Sequence, residues 1–250
     1  MDSSKNWSKN DLIEIITSTS LFKELNRPQI EDLLNLSNIS SYVKGEILFH
    51  QGDVVENVYL ILDGSMKILR TSEYGNEVIL QLLHFGNTFM ETSVFLESFS
   101  PVSAQIVKDT TLLAIPFSFV RHLLCINSQF SQGLIKVISE KNKETFLKLE
   151  SILLKSPVQR IGYYLLGLLV ELGSSQRTIK LPDPKSLIAG YLGMKPETFS
   201  RAMAEIKKLG VNVKGDEVTL LTISSLCRFC DIDTTLKCQK ARSPECHLKA

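Results

Sequence analysis

Residues 187–210 read LIAGYLGMKPETFSRAMAEIKKLG, and this stretch decides the fold of the C-terminal half of the chain. Its apolar spacing predicts two helices, Pro184–Leu192 and Pro196–Leu209, joined by a tight turn at Gly193. The segments VNVK and VTLL follow on either side of the turn GDE, and they predict a β-hairpin. Two helices joined by a glycine turn and followed by a hairpin wing are typical of a winged helix-turn-helix.

The second of these helices carries a polar face near its N-terminus. Glu197, Ser200 and Arg201 are close enough in the helical repeat to share one side, and the apolar residues among them point to the other. Arginine can bind guanine O6 and N7 with two hydrogen bonds, glutamate can accept from cytosine N4, and serine can contact a neighbouring base. We therefore predict a DNA-reading surface that consists of Glu197, Ser200, Arg201, Lys195, Pro196, Lys185 and Thr198.

Positive charge is concentrated around these two helices. Residues 176–209 contain seven lysines and arginines against three acidic residues, an excess of four. Because the whole chain has a formal net charge of +1, the remainder carries −3. A local basic surface can neutralise DNA phosphates and makes binding depend strongly on salt. An ordinary solvated helix face is the alternative, but helix order, wing and charge all favour DNA binding.

Length and composition indicate a cytoplasmic protein with two domains. At 250 residues and 44% hydrophobic residues the chain can bury a core, and two modest domains suit this length better than one. The N-terminal residues lack a signal-peptide pattern, and the most apolar helical stretch, residues 161–170, is shorter than the roughly 20 residues that cross a bilayer. The five cysteines are odd in number and four of them are clustered, which is unlike a secreted disulfide framework, so we expect a reducing compartment and no membrane.

The N-terminal half has the pattern of a small β-roll. The segments EILFHQGD, NVYLILDGSMKIL, NEVILQLLHFG and TLLAIP each suit a strand that ends at a turn. Helical spacing precedes them, from Asp11 to Leu36.

A helix without internal proline is predicted from Phe117 to Leu154. Its candidate seam is spaced 3, 4, 3, 4 and 3, as in the a/d positions of a two-stranded coiled coil: Ile135, Ile138, Asn142, Thr145, Leu149 and Ile152. The two polar members weaken a hydrophobic seam but can fix its register. A helix that packs only on its own β-roll is the alternative, and this segment alone does not decide between them.

Over nearly its whole length the chain resembles the CRP/FNR transcriptional regulators. KGEILFHQGDVVENVYLILDGSMKI is similar to the family's β-roll signature, and LIAGYLGMKPETFSR is similar above all to the nitric-oxide-responsive DNR/NNR group. Glu197, Ser200 and Arg201 match the E-x-x-S-R pattern of the FNR side, which implies an inverted repeat resembling TTGAT…ATCAA. The resemblance also implies a homodimer through the long helix, with double-stranded DNA and RNA polymerase as partners.

We therefore expect an α+β protein with four parts. Residues 1–116 would form N-terminal helices and a cyclic-nucleotide-binding-like β-roll, and residues 117–155 a long dimerisation helix. Residues 156–226 would form the winged helix-turn-helix, and residues 227–250 a cysteine-rich tail.

The stretch TFMETSVFLESFSPVSAQ corresponds to the part of the roll that holds the phosphate of a cyclic nucleotide. Family members that bind cAMP place a glycine–glutamate pair and then an arginine there, which give backbone donors and a charged clamp. Here Glu91 is retained, but Met90 stands in the glycine position and Val102 precedes Ser103 where the arginine belongs. We expect an effector pocket at Met90, Glu91 and Ser103 that does not bind cAMP.

Four of the five cysteines lie in the tail: Cys227, Cys230, Cys238 and Cys246. The N-terminal cysteines of oxygen-sensing FNR are absent, and the tail is similar in position to the C-terminal extension of Bacillus-type FNR. Four thiolates suffice for a [4Fe–4S] cluster. The alternatives, in order, are unliganded cysteines, a redox dithiol and structural zinc. The resemblance also allows haem, but no motif singles out an axial ligand among His50, His84, His122 and His247.

The sequence thus predicts a transcription regulator that responds to a redox or gaseous signal, nitric oxide or oxygen, and not to cAMP. Two other classes remain open: a cyclic-nucleotide-like module that acts through protein partners, and a cysteine-tail redox protein. We expect no enzyme, because no P-loop, G-x-S-x-G, H-E-x-x-H or histidine–carboxylate motif occurs. A C-x-x-C enzyme would place its pair at a helix start in a thioredoxin-like setting, whereas Cys227 follows the wing.

Overall fold

The computed structural model describes residues 7–96, 99–171, 177–222, 225–230 and 238. The chain divides into two units, Met1–Thr145 and Phe146–Ala250, each with its own hydrophobic core. Both units combine helices with antiparallel strands, which confirms the predicted α+β class. Within these described ranges no helix is both long enough and apolar enough to cross a membrane.

Two short helices begin the first unit, α1 (Lys9–Ser18) and α2 (Arg27–Leu36). Each starts with a capping box, in which the side chain of Ser8 or Asn26 accepts a hydrogen bond from the N–H three residues on, and the side chain at that position accepts one in return. The helical spacing predicted from residue 11 to residue 36 therefore belongs to two helices, because the second cap begins a new one.

Six antiparallel strands form the roll: β1 (Asn38–Tyr42), β2 (Ile47–Phe49), β3 (Asn57–Thr71), β4 (Glu77–His84), β5 (Thr88–Phe89) and β6 (Ser103–Pro116). Their order is β1-β6-β3-β4, with β2 paired to β6 and β5 paired to β3. β6 pairs with β3 from Pro116 opposite Asn57 to Ser103 opposite Leu69. The β-roll prediction is confirmed, although the sequence indicated only the last part of β6.

Gly64 allows β3 to pass close to β6. Its φ is +88°, in the left-handed region that glycine adopts without strain. A Cβ at this position would overlap the carbonyl oxygen of Asp109 and the side chain of Thr110. The Thr110 hydroxyl accepts a hydrogen bond from the N–H of Ser65 at 3.0 Å, so the two strands are joined next to the glycine.

Two helices follow the roll, α3 (Phe117–Ile126) and α4 (Ser128–Leu154). The prediction of one uninterrupted dimerisation helix over residues 117–155 is wrong, because the backbone is extended at Asn127. The Asn127 side chain accepts a hydrogen bond from the N–H of Phe130 at 3.0 Å and so caps the start of α4. Phe130 is fully buried in the first core, which holds α4 on the first unit.

One side of α4 is largely apolar and exposed, and we call it the α4 stripe. It consists of Ile135, Asn142, Thr145, Phe146, Leu149 and Leu153. The stripe contains four of the six predicted seam residues, Ile135, Asn142, Thr145 and Leu149. Ile138 is half-buried and packs against the first core. Ile152 is half-buried, and its Cγ1 lies 3.4 Å from where a Cβ of Gly193 would be. The exposed side of α4 therefore differs from the predicted seam at Ile138 and Ile152, and Leu153 is exposed next to Ile152. The seam itself stays a prediction.

The second unit contains α5 (Pro157–Glu171), β7 (Thr178–Lys180), α6 (Lys185–Tyr191), α7 (Pro196–Lys208), β8 (Val211–Lys214) and β9 (Glu217–Leu220). The three strands form an antiparallel sheet in the order β7-β9-β8. α7 packs on α5 and on α6, and a short 3-10 turn at Cys227–Phe229, which we call the tail turn, contacts α5. The predicted winged helix-turn-helix is confirmed.

Candidate nucleic-acid interface

The turn between α6 and α7 sets the direction in which α7 begins. Gly193 has a φ of +66°, and the N–H of Met194 donates to the carbonyl of Ala189 at 3.0 Å, which satisfies the end of α6. Lys195 is extended, and Pro196 takes the first position of α7, where its missing N–H would have had no partner. The backbone therefore ends one helix and begins the next across a short turn.

α7 has a buried side and an exposed side. The buried side consists of Phe199, Ala202, Met203 and Ile206. On the opposite side Glu197, Ser200 and Arg201 are all exposed, and neither Glu197 nor Arg201 forms an ion pair within the described part of the chain. The structure thus places the three predicted base-contacting residues together at the N-terminal end of α7, where backbone N–H groups and the helix dipole also favour phosphate.

The other predicted DNA-contacting residues differ in exposure. Lys195, Pro196 and Thr198 are exposed at the start of α7, whereas Lys185 is the first residue of α6 and is half-buried. At the far end of α7 the ammonium of Lys208 lies 2.7 Å from a carboxylate oxygen of Glu205, so this pair adds no net charge to the surface.

Arg160 in α5 binds three backbone carbonyls in two segments of the chain, and sequence reasoning missed it. Its Nε donates to the carbonyl of Lys155 at 3.0 Å, and its Nη1 donates to the carbonyls of Leu192 and Gly193 at 3.0 and 3.2 Å. These carbonyls lie where α4 and α6 end and where a helix leaves C=O groups without partners. The guanidinium therefore fixes the turn before α7 to the end of α4. An arginine in the first turn of a helix is unfavourable next to the positive end of the helix dipole. Its presence at position 160 was the sequence signal that the side chain has another partner.

Lys148 makes a second connection between α4 and α6. Its ammonium lies 3.8 Å from the centroid of the Tyr191 ring. Burial lowers the pKa of Lys148 to about 8. Tyr164 packs edge-on against Tyr191 with the ring centroids 6.3 Å apart, and burial, with a smaller effect of Asp183, raises the pKa of Tyr164. Together with Arg160, Lys148 attaches α6 to the C-terminal end of α4, and Tyr164 attaches α6 to α5.

Two of the predicted effector residues, Met90 and Glu91, lie at a buried ion pair in the first unit. Met90 has a φ of +70°, which L-residues rarely adopt, and a 3-10 turn follows at Glu91–Phe95. Glu91 is only 3% exposed, and it accepts a hydrogen bond from the Thr88 hydroxyl. The ammonium of Lys141 lies 2.6 Å from Oε1 of Glu91 and donates to the carbonyl of Thr88, also at 2.6 Å. The carboxylate that was predicted to face a ligand therefore already forms an ion pair with Lys141 of α4.

The side chain of Ser103 is hydrogen-bonded to the backbone of the roll. It is buried, and its hydroxyl accepts a hydrogen bond from the N–H of Gln51 at 2.8 Å. An open cavity of about 590 Å³ lies elsewhere in the first unit. Its lining includes Val54, Leu96, Phe99, Phe117 and Arg121. Met90, Glu91 and Ser103 do not line this cavity.

Two of the four predicted cysteine ligands lie at the tail turn. Cys227 and Cys230 are half-buried, and the N–H of Cys230 donates to the carbonyl of Cys227 at 3.0 Å. Cys238 is half-buried, and Cys246 lies outside the described residues. Among the side chains that the structure describes, no three from His, Cys, Asp and Glu are grouped as a metal site. These side chains alone therefore do not fit a [4Fe–4S] cluster or a structural zinc ion, which take four ligands.

The histidines also differ in their surroundings. His50 and His122 are exposed, His84 is half-buried in β4, and His247 lies outside the described residues. Because a haem ligand belongs in a pocket that encloses the macrocycle, the exposed pair does not fit that role.

Comparison with known proteins agrees with this architecture. The model of the cyclic nucleotide-binding domain matches residues 39–126, and that of the Crp-like helix-turn-helix domain matches residues 159–229. Transcriptional activator protein Anr of Pseudomonas protegens is 29% identical over 188 residues, which are 74% of this chain and 77% of Anr. Transcriptional activator protein FnrA of Stutzerimonas stutzeri is 27% identical over the same shares, 74% and 77%. The crystal structure of DNR from Pseudomonas aeruginosa, 27% identical, matches with a TM-score of 0.50 over 90% of this chain and 100% of that one.

Proposed function

Because the chain belongs to the CRP/FNR family of transcription regulators and carries a Crp-like helix-turn-helix domain, we propose that it binds DNA as a homodimer at an inverted repeat resembling TTGAT…ATCAA. The observation that carries this proposal is the exposed face of Glu197, Ser200 and Arg201 at the N-terminal end of α7. In the major groove Arg201 would bind the guanine of each half-site and Glu197 would accept from a cytosine N4. Lys195 would contact the backbone phosphates.

The α4 stripe supports the homodimer. Its members Leu149 and Leu153 are 51% and 70% exposed, and two copies of the stripe would bury them against each other in a coiled coil. Asn142 sits within the stripe, where a polar residue can fix the register of the pair at some cost in stability. A twofold dimer matches the symmetry of an inverted repeat. Replacing Leu149 with glutamate would place two like charges in the seam, and sedimentation should then show a monomer.

We further propose that the signal is redox or gaseous, nitric oxide or oxygen, and that the protein acts in the cytoplasm through RNA polymerase. The ion pair of Glu91 with Lys141 argues against cAMP, because the carboxylate that would receive a ligand already has a buried partner. The sequence LIAGYLGMKPETFSR, which includes the start of α7, resembles that of the nitric-oxide-responsive group, and this supports the gaseous signal. The iron and haem content of protein purified without air, together with its visible absorption, tests the cluster and the haem.

The DNA-binding proposal is tested by fluorescence anisotropy with a labelled inverted-repeat duplex and a scrambled competitor. Arg201→Ala should weaken binding to the repeat by about 1–3 kcal/mol, roughly 5- to 150-fold, and should affect the scrambled duplex much less. Lys208→Ala is the matched control on the same helix, because Lys208 is paired with Glu205 at the far end. It should leave the preference for the repeat unchanged.

Two results would contradict the proposal. If the wild-type protein, reduced or oxidised, binds the repeat and the scrambled duplex equally, the protein does not read this sequence. If Arg201→Ala binds as the wild type does, α7 is not the reading helix, and a module that acts through protein partners becomes the better account.

A further inference from the structure

Phe229 of the tail turn lies directly on Gly162 of α5. A Cβ at position 162 would overlap the Phe229 ring, so a glycine is needed for the ring to reach the helix backbone. Leu226, just before the turn, is fully buried in the second core, and Cys230, just after it, packs against the same core. The segment that carries Cys227 and Cys230 is therefore held on the DNA-binding unit by packing at both ends.

α5 connects this segment to the reading helix. The helix contacts the tail turn and α7, and its Ile161 and Leu165 are buried in one cluster with Ile206 of α7. Because a close-packed interior transmits small displacements, a shift of Phe229 on α5 changes the support of α7.

The two cysteines are placed to react with each other. Residues three apart in a 3-10 turn lie on the same side, and the hydrogen bond from the Cys230 N–H to the Cys227 carbonyl, at 3.0 Å, closes this turn. A turn of this kind brings the two Cα atoms within about 7 Å, and a disulfide spans about 4.4–6.8 Å. Neither cysteine is in a disulfide in this structure.

We propose that Cys227 and Cys230 form a thiol–disulfide switch whose state reaches the DNA-reading helix through Phe229 and Gly162. The proposal rests on the proposed DNA-binding function. The oxidant is a low-molecular-weight disulfide. One cysteine thiolate attacks it, forms a mixed disulfide and releases one thiol, and the second thiolate attacks the protein sulfur of that bond and releases the other thiol. The protein dithiol loses two electrons and two protons, and the small disulfide becomes two thiols.

Closing this bond weakens DNA binding. It draws the Cys230 sulfur from the core toward Cys227, and the ring between them, Phe229, is lifted from Gly162. α5 then loses its contact with Phe229 of the tail turn. Because α7 packs on α5, the two copies of α7 in the dimer no longer keep the spacing that matches the half-sites. Reduced protein therefore binds the inverted repeat about tenfold more tightly than oxidised protein.

The experiment uses the full chain with the remaining cysteines, Cys125, Cys238 and Cys246, replaced by serine, so that Cys227 and Cys230 can pair only with each other. Protein is treated with glutathione disulfide or with dithiothreitol, and the linkage is identified by peptide mass mapping. Affinity for the repeat is measured by anisotropy. Hydrogen exchange over α5 and α7 is measured in parallel, because it reports the coupling without DNA.

Two substitutions in α5 separate the contact from general effects on the helix. Gly162→Ala places a Cβ into the Phe229 ring, whereas Gly167→Ala meets nothing within 4 Å, and both exchange a helical glycine for alanine. We expect Gly162→Ala and Phe229→Ala to bind as the oxidised protein does in either redox state, with raised exchange over α7. Gly167→Ala should keep the tenfold redox response.

The proposal is overturned if oxidation changes neither affinity nor exchange in the parent protein, or if Phe229→Ala retains the full response. If the parent protein does not bind the repeat but oxidation still raises exchange over α7 through Phe229, the switch stands and the assigned DNA site is wrong. If neither redox form binds the repeat and exchange is also unchanged, both proposals fail.

Discussion

Replacing Lys141 with methionine should destabilise the first unit by about 2–3 kcal/mol. The substitution keeps a long apolar side chain but removes the ammonium that lies 2.6 Å from Glu91. Breaking a fully buried ion pair costs about 3–5 kcal/mol, because the remaining charge has no partner. Glu91 is buried, but the Lys141 side chain is 29% exposed, so water can reach the vacated position and lower that cost.

The assay is urea unfolding followed by the fluorescence of Trp7. This is the one tryptophan of the chain, and it packs against the core of the first unit, so its signal reports that unit. Lys136→Met is the matched control on the same helix, since its 3.9 Å pair with Glu140 is exposed and is worth at most about 0.5 kcal/mol. The double variant Lys141→Met with Glu91→Gln should recover most of the loss, because the amide is neutral and can still bond Thr88.

A loss below about 0.5 kcal/mol for Lys141→Met would refute this reasoning, since it would mean that Glu91 is satisfied without the lysine. A double variant less stable than Lys141→Met would refute it too, because an uncompensated carboxylate could not then be the source of the cost.

Three other predictions concern the second unit and the roll. Burial lowers the pKa of Lys148 from its ordinary 10.5 to about 8 in the folded protein. Between pH 8 and pH 10.5 the unfolded chain therefore binds more protons than the folded chain, and the free energy of unfolding should rise with pH across that window. Unfolding followed by circular dichroism should show this rise in the wild type and not in Lys148→Met. Arg160→Ala should lower the unfolding free energy by about 2–3 kcal/mol, because three carbonyls lose a charged donor. It should also lower the affinity for the inverted repeat. Arg160→Lys should be intermediate in both measurements. Gly64→Ala should cost about 3 kcal/mol or more in urea unfolding because its Cβ meets backbone, whereas Gly75→Ala, with a φ of +78° and nothing within 4 Å, should cost only about 1 kcal/mol.

The helix-turn-helix could be predicted closely because its signals are local. Pro196, Gly193 and the apolar spacing of α7 each act within a few residues, and the structure begins α7 at Pro196 as expected. The extent of β6 could not be predicted in the same way. Its polar run, residues 108–111, resembles a turn, but those residues pair with β1 and β3, and this pairing depends on distant parts of the chain.

The candidate sites show the same limit. The shared face of Glu197, Ser200 and Arg201 follows from helical periodicity alone, and the structure keeps these three residues on one exposed side. The partner of Glu91 is 50 residues away, and no pattern within the sequence brings Lys141 to it. The break at Asn127 had a local signal, since asparagine is a common N-cap, but the absence of proline concealed it.

The position of β6 at the end of the roll has a consequence for biosynthesis. Strand β1 receives its hydrogen-bonding partner, and β3 its longest one, only when residues 103–116 have been made, so the roll cannot close on a shorter nascent chain. Until then the edge of β3 that pairs with β6 has no partner strand, and chaperones that bind extended apolar segments can bind this part of the nascent chain. Ribosome-bound chains that stop before residue 103 should therefore be digested by protease, and chains long enough to release Pro116 from the exit tunnel should become resistant.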